Sequence, residues 1–188
     1  MSKSKIVGLV ALVVFAMGII LAGDALAEEK EQGRAKFGYG YSLEYVCSFT
    51  VTLRPEVIGP LAEGLRVNFH ITGGELDGPK LRGKFRPGGA DFVIMRRDGV
   101  AVLDIRGTIE THDGAVIYEV GSGLAYTSED AYEKALKRDL PPTTPLREAV
   151  RLSTAHPGYL WVNRLQFVGI GEMVRPQYEV RIDLYALK

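Results

Sequence analysis

Short alternating segments separated by turns constrain the fold of this chain more than any other feature. Glycine and proline clusters at 73–74, 77–79 and 87–89 break the chain about every ten residues. The segments beside them, such as GLRVNFHIT at 64–72 and VAVLDIRGTIETH at 100–112, alternate apolar with polar residues. Many short strands at this spacing are typical of an antiparallel sandwich or barrel and not of a parallel sheet. We therefore predict an all-β protein.

One stretch has the pattern of a helix. The segment TSEDAYEKALKRDLPP at 127–142 offers Thr127 or Ser128 as a cap, acids in the first turn, bases in the last and two prolines as a stop. Its apolar stripe is narrow and consists of Ala131, Ala135 and Leu136. Because so narrow a stripe covers little surface, we expect this short helix to cover one end or edge of the sheet structure.

The N-terminus has the pattern of an export signal. MSKSK supplies positive charge, residues 6–23 form an apolar run, and Ala-Leu-Ala at 25–27 offers a small-x-small cleavage pattern. We predict a signal peptide at 1–27, a flexible lead-in at 28–40 and a β-barrel domain at 41–188, in a periplasmic or secreted protein. The alternative is an uncleaved anchor, because the apolar run reaches the roughly 18-residue lower limit for a membrane span.

The charge balance limits the partners of the protein. Lys plus Arg and Asp plus Glu number 23 each, so no net positive charge gathers phosphate. Nucleic-acid binding draws its affinity from clustered Lys and Arg. We therefore expect no nucleic-acid partner, and membrane contact only through the N-terminal segment if it stays uncleaved.

The usual catalytic and metal-binding signatures are missing from the sequence. The three histidines, His70, His112 and His156, have no spacing typical of a metal site, and no hydrolase or phosphate-loop motif is present. Cys47 is the only cysteine, which excludes an internal disulfide, and we expect it to be a small buried apolar residue and not a nucleophile. We expect neither a metal nor a cofactor.

Two Asp-Gly dipeptides predict the register of three strands. Asp98-Gly99 and Asp113-Gly114 are typical of two-residue type I′ hairpin loops. With two-residue loops, Asp91 lies opposite Arg106, and alternation puts five polar residues on one face: Asp91, Asp104, Arg106, Thr108 and Glu119. The opposite face then carries Phe92, Ile94, Leu103, Ile105, Ile109, Val116 and Tyr118.

The predicted charge cluster of Asp91, Asp104 and Arg106 has two interpretations. Two carboxylates beside a guanidinium can form an acid/base pair with an anion-binding partner. Alternatively the apolar face is the core, and Asp91 and Arg106 form an exposed cross-strand pair that contributes under about 1 kcal/mol.

The segment YLWVNR at 159–164 offers a second candidate site. Read as a strand, it places Tyr159, Trp161 and Asn163 on one face. An aromatic beside an amide is a usual lining of a ligand pocket, but Tyr and Trp equally often pack in a core.

Three separated blocks resemble one known family. ITGGELDGPKLRGKFRPGGADF, RRDGVAVLDIRGTIETHDGAVIY and YLWVNRLQFVGIGE look like domain-of-unknown-function family 3237 across residues 41–187. Its recurring patterns fall on Gly88 to Phe92, on Leu103, Asp104 and Arg106, and on Trp161, Asn163 and Arg164. Phe92 stands where Trp is common in the family. The resemblance implies a single antiparallel β-barrel, often with a central cavity, and favours the charged face turning into the barrel.

Three functions remain open from the sequence. The first is a barrel that binds a small organic molecule in its interior, with Asp91, Asp104 and Arg106 at its polar end and Trp161 with Asn163 at its ring or carbonyl. The second is an enzyme, a hydrolase, isomerase or cyclase, in which Asp91 or Asp104 acts as acid or base in the same cavity. The third is an envelope interaction protein whose barrel is filled solid.

Overall fold

The computed structural model describes residues 36–188. The predicted signal peptide at 1–27 and most of the predicted lead-in at 28–40 lie outside the described residues. Within the described part, no helix combines the length and the apolar character that crossing a membrane requires.

Nine strands form one antiparallel sheet in the barrel domain, residues 41–188. Their bounds are β1 (Leu43–Pro60), β2 (Leu65–Asp77), β3 (Gly83–Phe85), β4 (Ala90–Met95), β5 (Val100–Thr111), β6 (Val116–Tyr126), β7 (Thr143–Ser153), β8 (Gln166–Val174) and β9 (Glu179–Leu187). A short helix, α1 (Ala131–Leu136), precedes β7, and a 3-10 helix (Pro157–Arg164) precedes β8.

The sheet closes on itself. Its neighbours run β1-β9-β8-β7-β6-β5, β5 then pairs with both β3 and β4, and β3 and β4 both pair with β2. The β2 strand pairs in turn with β1, which completes the ring. Because a closed ring leaves no long free edge, the backbone hydrogen bonds of the strands are satisfied within the sheet. The predicted single antiparallel barrel with one short helix is confirmed.

The β4–β5 hairpin differs from the prediction by one residue. Its loop holds three residues, 97–99, and the Arg96 N–H donates to the Val100 carbonyl at 2.8 Å. The loop glycine has a φ of 83°, the left-handed conformation that ends a three-residue hairpin loop. Asp91 therefore lies opposite Ile105, and the predicted pairing of Asp91 with Arg106 was wrong.

The β5–β6 hairpin carries the same difference. Its loop spans residues 112–114, and the Thr111 N–H donates to the Ala115 carbonyl at 2.9 Å. Glu119 consequently lies opposite Gly107, and not opposite the predicted Thr108.

This slip of one residue in each loop decides which side chains share a face. Along a strand the side chains alternate between the two faces, so one extra residue moves every partner to the other side. On β5, Leu103 and Ile109 are buried inside the barrel, while Asp104 and Arg106 lie outside. The predicted apolar face was wrong, because it combined buried Leu103 with Phe92, which is 37% exposed.

The two helical segments lie at opposite ends of the barrel. The helix α1 joins the end of β6 to the start of β7, whereas the 3-10 helix joins the end of β7 to the start of β8. The predicted strand at 159–164 was wrong. Pro157 begins the 3-10 helix, and the His156 Nδ1 accepts a hydrogen bond from the Gly158 N–H at 3.3 Å. Proline favours the first position of a helix because its missing N–H has no partner to lose there.

The core fills the end of the barrel next to the 3-10 helix. Phe167, Ile117 and Leu184 are buried there with Cys47. Burial raises the pKa of the Cys47 thiol to about 12. The expectation that Cys47 is a buried apolar residue is confirmed.

Candidate functional site

The other end of the barrel holds a cavity of about 720 Å³. Most of its lining side chains are apolar, and the exceptions are Asp91, Thr127, Thr144, Tyr178, Arg138 and Arg175. Ligand pockets in proteins span about 300–1,000 Å³ and combine an apolar lining with a few placed polar groups. The cavity therefore has the volume and the lining of a small-molecule site.

The cavity has a floor and a mouth. The floor consists of the lining residues that lie farthest along their strands from the barrel end next to α1, and these include Phe69, Asp91, Leu103 and Leu146. At the other extreme, Val57 is 59% exposed and Leu136 of α1 is 43% exposed although both line the cavity. Exposed lining residues at one end indicate that the cavity opens to solvent there.

Asp91 is the acidic group of the floor. One carboxylate oxygen accepts a hydrogen bond from the backbone N–H of Asp104 at 2.9 Å, in a part of the β4–β5 pairing where the ladder is interrupted. Within residues 36–188 the other oxygen has no hydrogen-bond partner, and the residue is half-buried against the cavity. Burial is the main cause that raises the pKa of Asp91 to about 7.

Two further carboxyl groups point into the barrel, and glycines make room for them. Glu119 is 3% exposed, and a Cβ added at Gly107 opposite would come within 2.6 Å of its carboxyl oxygen. Glu148 is 6% exposed, and a Cβ at Gly169 opposite would lie 2.6 Å from its Oε1. The absence of a side chain at each glycine is what allows an acidic group inside the barrel.

The three interior carboxyls act on one another electrostatically. Burial, with the Asp91 charge in second place, raises the pKa of Glu119 to about 7. Burial and then the charges of Glu119 and Asp91 raise the pKa of Glu148 well above its ordinary value. The Glu148 Oε1 is buried without a hydrogen-bond partner in the described structure. No group of three or more His, Cys, Asp or Glu between residues 36 and 188 has the arrangement of a metal site.

Asp104 and Arg106 lie outside the barrel. The Arg106 Nη1 donates to the Asp104 Oδ1 at 2.5 Å, and the two side chains are 39% and 54% exposed respectively. The prediction that they share a face with Asp91 was wrong. Asp91 is paired with Ile105 and shares its face, whereas Asp104 and Arg106, the neighbours of Ile105 along β5, point to the other face.

Trp161 and Asn163 lie at the barrel end opposite the cavity, in the 3-10 helix. The Trp161 ring packs edge-on against Phe167 with 6.1 Å between ring centroids. The Asn163 Oδ1 accepts from the Thr154 N–H at 2.8 Å, and its Nδ2 donates to the Thr154 carbonyl at 2.9 Å. Both side chains hold the 3-10 helix to the barrel, and neither lines the cavity.

The sequence analysis did not predict Glu148 as an interior residue, although the alternation along its strand indicates it. In β7 every second residue is buried: Thr144, Leu146, Glu148, Val150 and Leu152. A charged residue in the apolar series of an alternating strand marks an interior acid. Glu119 was noticed, but the wrong register grouped it with residues of the outer face.

The fold and the cavity define the class of protein. It is a small closed antiparallel barrel, open at one end, with buried carboxyl groups at and beneath the cavity floor. The chain belongs to the family described as protein of unknown function (DUF3237), whose model matches residues 41–187.

Known proteins match this chain over nearly the whole length of the barrel domain. A protein named "UPF0311 protein" from Rhodopseudomonas palustris strain TIE-1 is 34% identical over 150 residues, which cover 77% of this chain and 96% of the relative. A crystal structure described as a beta-barrel like protein from Acinetobacter baumannii matches with a TM-score of 0.67 at 29% identity, over 80% of this chain and 98% of the other. A structure described as an enzyme from Penicillium herquei has a TM-score of 0.57 at 20% identity, over 80% and 96%, which shows a shared fold.

Proposed function

We propose that this protein binds a small organic molecule in the cavity of its barrel. The observation that carries the proposal is the cavity of about 720 Å³, with apolar walls and the Asp91 carboxylate on its floor. The interior of a folded protein is ordinarily packed with few voids larger than a water molecule. An envelope interaction protein with a solidly packed barrel, the third function considered from the sequence, would have no open cavity of this size. The cavity therefore supports ligand binding.

Small side chains keep the cavity open. Ala101 and Ala125 line it from the neighbouring strands β5 and β6, which pair with each other at these positions. Larger side chains at this pair would fill the space and bury more apolar surface, which ordinarily stabilises a core. The two alanines thus support a role for the cavity beyond packing.

A cavity-filling substitution tests the proposal. Native mass spectrometry and solvent extraction of the purified full chain should show a bound small molecule. The Ala125→Trp variant should lose it because the indole occupies the cavity. Ala149→Trp is the matched control, because Ala149 is exposed on the outer face of β7. Equal ligand content in all three proteins would contradict the proposal.

An enzyme that uses Asp91 as general acid or base is the second candidate. Its supporting observation is the position of Asp91 in the cavity lining with one hydrogen bond, where burial raises the pKa of its carboxyl to about 7, so that both protonation states are populated near neutral pH. The Penicillium herquei protein of the same fold is described as an enzyme, so the fold is compatible with catalysis.

A comparison of two aspartates tests the enzyme candidate. The full chain and its variants are incubated with a small-molecule extract of the producing cells, and the mixture is compared before and after by mass spectrometry. Asp91→Asn should abolish the conversion of any compound that the wild type consumes, whereas Asp104→Asn, on the outer face, should retain it. Equal conversion by wild type and Asp91→Asn contradicts the candidate.

We propose further that the barrel is exported. The support is the charged start, the apolar run and the small-x-small pattern at 25–27. The intact mass of the protein from its native cell tests this. A chain that begins at Glu28 supports cleavage, and a full-length chain in the membrane fraction supports the anchor.

A further inference from the structure

We infer that the ligand of the cavity is an amphipathic organic acid, whose apolar body fills the barrel and whose carboxylate lies at the mouth against Arg175 and Arg138. The inference rests on the proposed binding function and names the class of ligand. It follows from the positions of two arginines in the cavity lining, from the lack of a counter-ion at the half-buried Arg175, and from the acidic floor at the far end of the same cavity.

Arg175 is fixed at the mouth with one side of its guanidinium unused. It follows β8 directly, lines the cavity and is half-buried. Its Nη1 donates to the Pro141 carbonyl at 2.7 Å and to the Thr144 Oγ1 at 2.5 Å, which holds the side chain in place. The Nε and Nη2 groups have no protein acceptor within residues 36–188, so a fork of donors remains for a ligand.

Arg138, an exposed residue, is the second arginine of the mouth. It lies two residues beyond α1, lines the cavity, and has a φ of 57°, which is uncommon for a residue with a side chain. Its N–H donates to the Ala135 carbonyl at 3.1 Å, as expected for a left-handed residue that ends a helix. Glycine is the usual residue at such a position, so the choice of arginine there indicates a use for its side chain.

Neither arginine forms an ion pair with a carboxylate in the described part of the chain, although ten other ion pairs of Lys or Arg are present there. For the half-buried Arg175 this is unusual, because a charge partly removed from water is ordinarily paired and desolvation without a partner is costly, whereas the exposed Arg138 keeps its contact with water. Burial lowers the pKa of Arg175. A ligand carboxylate at the mouth would supply the missing partner, and its two oxygens match the guanidinium fork.

The acidic floor fixes the orientation of such a ligand. Asp91 lies at the far end of the cavity from the arginines, and Glu119 and Glu148 lie beyond it. A carboxylate at that end would find only acidic groups, which repel it whenever they are ionised, whereas at the mouth it meets the two arginines of the cavity lining. The ligand therefore enters with its apolar end first, and a hydroxyl or other donor at that end would reach the free oxygen of Asp91.

Three probes of equal length separate the alternatives: dodecanoate, dodecanol and dodecylamine. Their affinities for the full-length protein are measured by calorimetry near neutral pH, below the concentrations at which they aggregate. We expect dodecanoate to bind at least about tenfold more tightly than dodecanol, because only the carboxylate forms charge-assisted hydrogen bonds with the two guanidinium groups. Dodecylamine should bind more weakly than either.

Single substitutions test whether the preference for dodecanoate over dodecanol arises from the two arginines at the mouth. Arg175→Gln and Arg138→Gln should each reduce dodecanoate affinity about tenfold and leave dodecanol affinity unchanged. Arg151→Gln is the control that removes one exposed charge from the outer face of β7. Melting curves report whether Arg175→Gln still folds. If it does not, Arg138→Gln and the wild-type comparison of dodecanoate with dodecanol decide.

The outcomes distinguish this inference from the proposed function. Equal binding of dodecanoate and dodecanol, unaffected by the arginine variants, overturns the organic acid and leaves cavity binding intact. Preferential binding of dodecylamine also overturns it. Binding of none of the three probes overturns the inference alone, and the ligand content of wild type and Ala125→Trp then decides the proposed function, whereas the expected order supports both.

Discussion

The Asp91 carboxylate accepts a hydrogen bond from the backbone N–H of Asp104, while the Asp104 side chain lies on the other face of the sheet. The two aspartates thus meet through one backbone group and perform different tasks. Asp91 replaces a missing ladder acceptor and presents its second oxygen to the cavity. Asp104 pairs with Arg106 at the outer surface, where an exposed ion pair contributes roughly 0–1 kcal/mol.

Removing the Asp91 carboxylate should destabilise the barrel. Asp91→Ala leaves the Asp104 N–H without its acceptor, so we expect a loss of about 1–3 kcal/mol in the free energy of unfolding at pH 5. Asp91→Asn keeps an oxygen acceptor and should lose less. Asp104→Ala, the control, should change stability by under about 1 kcal/mol. Urea unfolding measures all three, and an Asp91→Ala variant as stable as wild type would contradict the role of this hydrogen bond.

The buried Glu119 should make the protein less stable as the pH rises. Its folded pKa of about 7 lies above the ordinary 4.5, so the folded state holds a proton that the unfolded state has released. This contribution is fully present below pH 4.5 and is lost as the pH rises through about 7. Its upper bound is roughly 3 kcal/mol.

Glu119→Gln tests that pH dependence, because glutamine has the same shape and no charge. Melting temperatures between pH 4.5 and 8 should fall less steeply in the variant than in wild type, so that the variant gains stability at pH 8. Glu110→Gln is the control. It removes the carboxylate that forms an ion pair with Arg86, and it should not flatten the dependence of the melting temperature on pH. Parallel curves for Glu119→Gln and wild type would falsify the prediction.

Gly107 should tolerate a side chain poorly while Glu119 is present. An added Cβ would lie 2.6 Å from the Glu119 carboxyl oxygen, and because Glu119 is 3% exposed its side chain has little room to move aside, so Gly107→Ala should cost about 1–3 kcal/mol of stability. In the double variant with Glu119→Ala the clash is gone, and the two effects should not add. Gly40→Ala is the control, because no atom lies within 4 Å of its added Cβ. Chemical denaturation of the four variants checks this, and simple additivity would sink the explanation.

Asn163 should matter for stability and not for the cavity. Its amide makes two hydrogen bonds to the Thr154 backbone at the opposite barrel end. Asn163→Ala should therefore lower the free energy of unfolding by about 1–3 kcal/mol and leave probe affinity at the cavity unchanged. The matched cavity substitution is Leu103→Ala, which should change affinity. A loss of affinity in Asn163→Ala with folding intact would favour the sequence-based assignment of Asn163 to the ligand.

The sequence by itself determined the class of fold and the helix. Period-two alternation with frequent turns specifies antiparallel strands, and the pattern at 127–142 specifies the one predicted helix, which the structure has at Ala131–Leu136. It also identified Asp91 as a candidate site residue, and the structure has it on the cavity floor. These properties are readable because they depend on local spacing and residue type.

Only the tertiary structure decided which residues meet. An Asp-Gly pair fits a two-residue or a three-residue hairpin loop, and the extra residue at 97–99 reverses the faces of Asp104 and Arg106. Ring closure then brings Arg138 and Arg175, distant in the chain from Asp91, to the same cavity. Such proximity depends on the register of the strands and on which strands pair to close the sheet. Neither can be read from the local pattern of the sequence, because the same alternation is compatible with registers that differ by one residue.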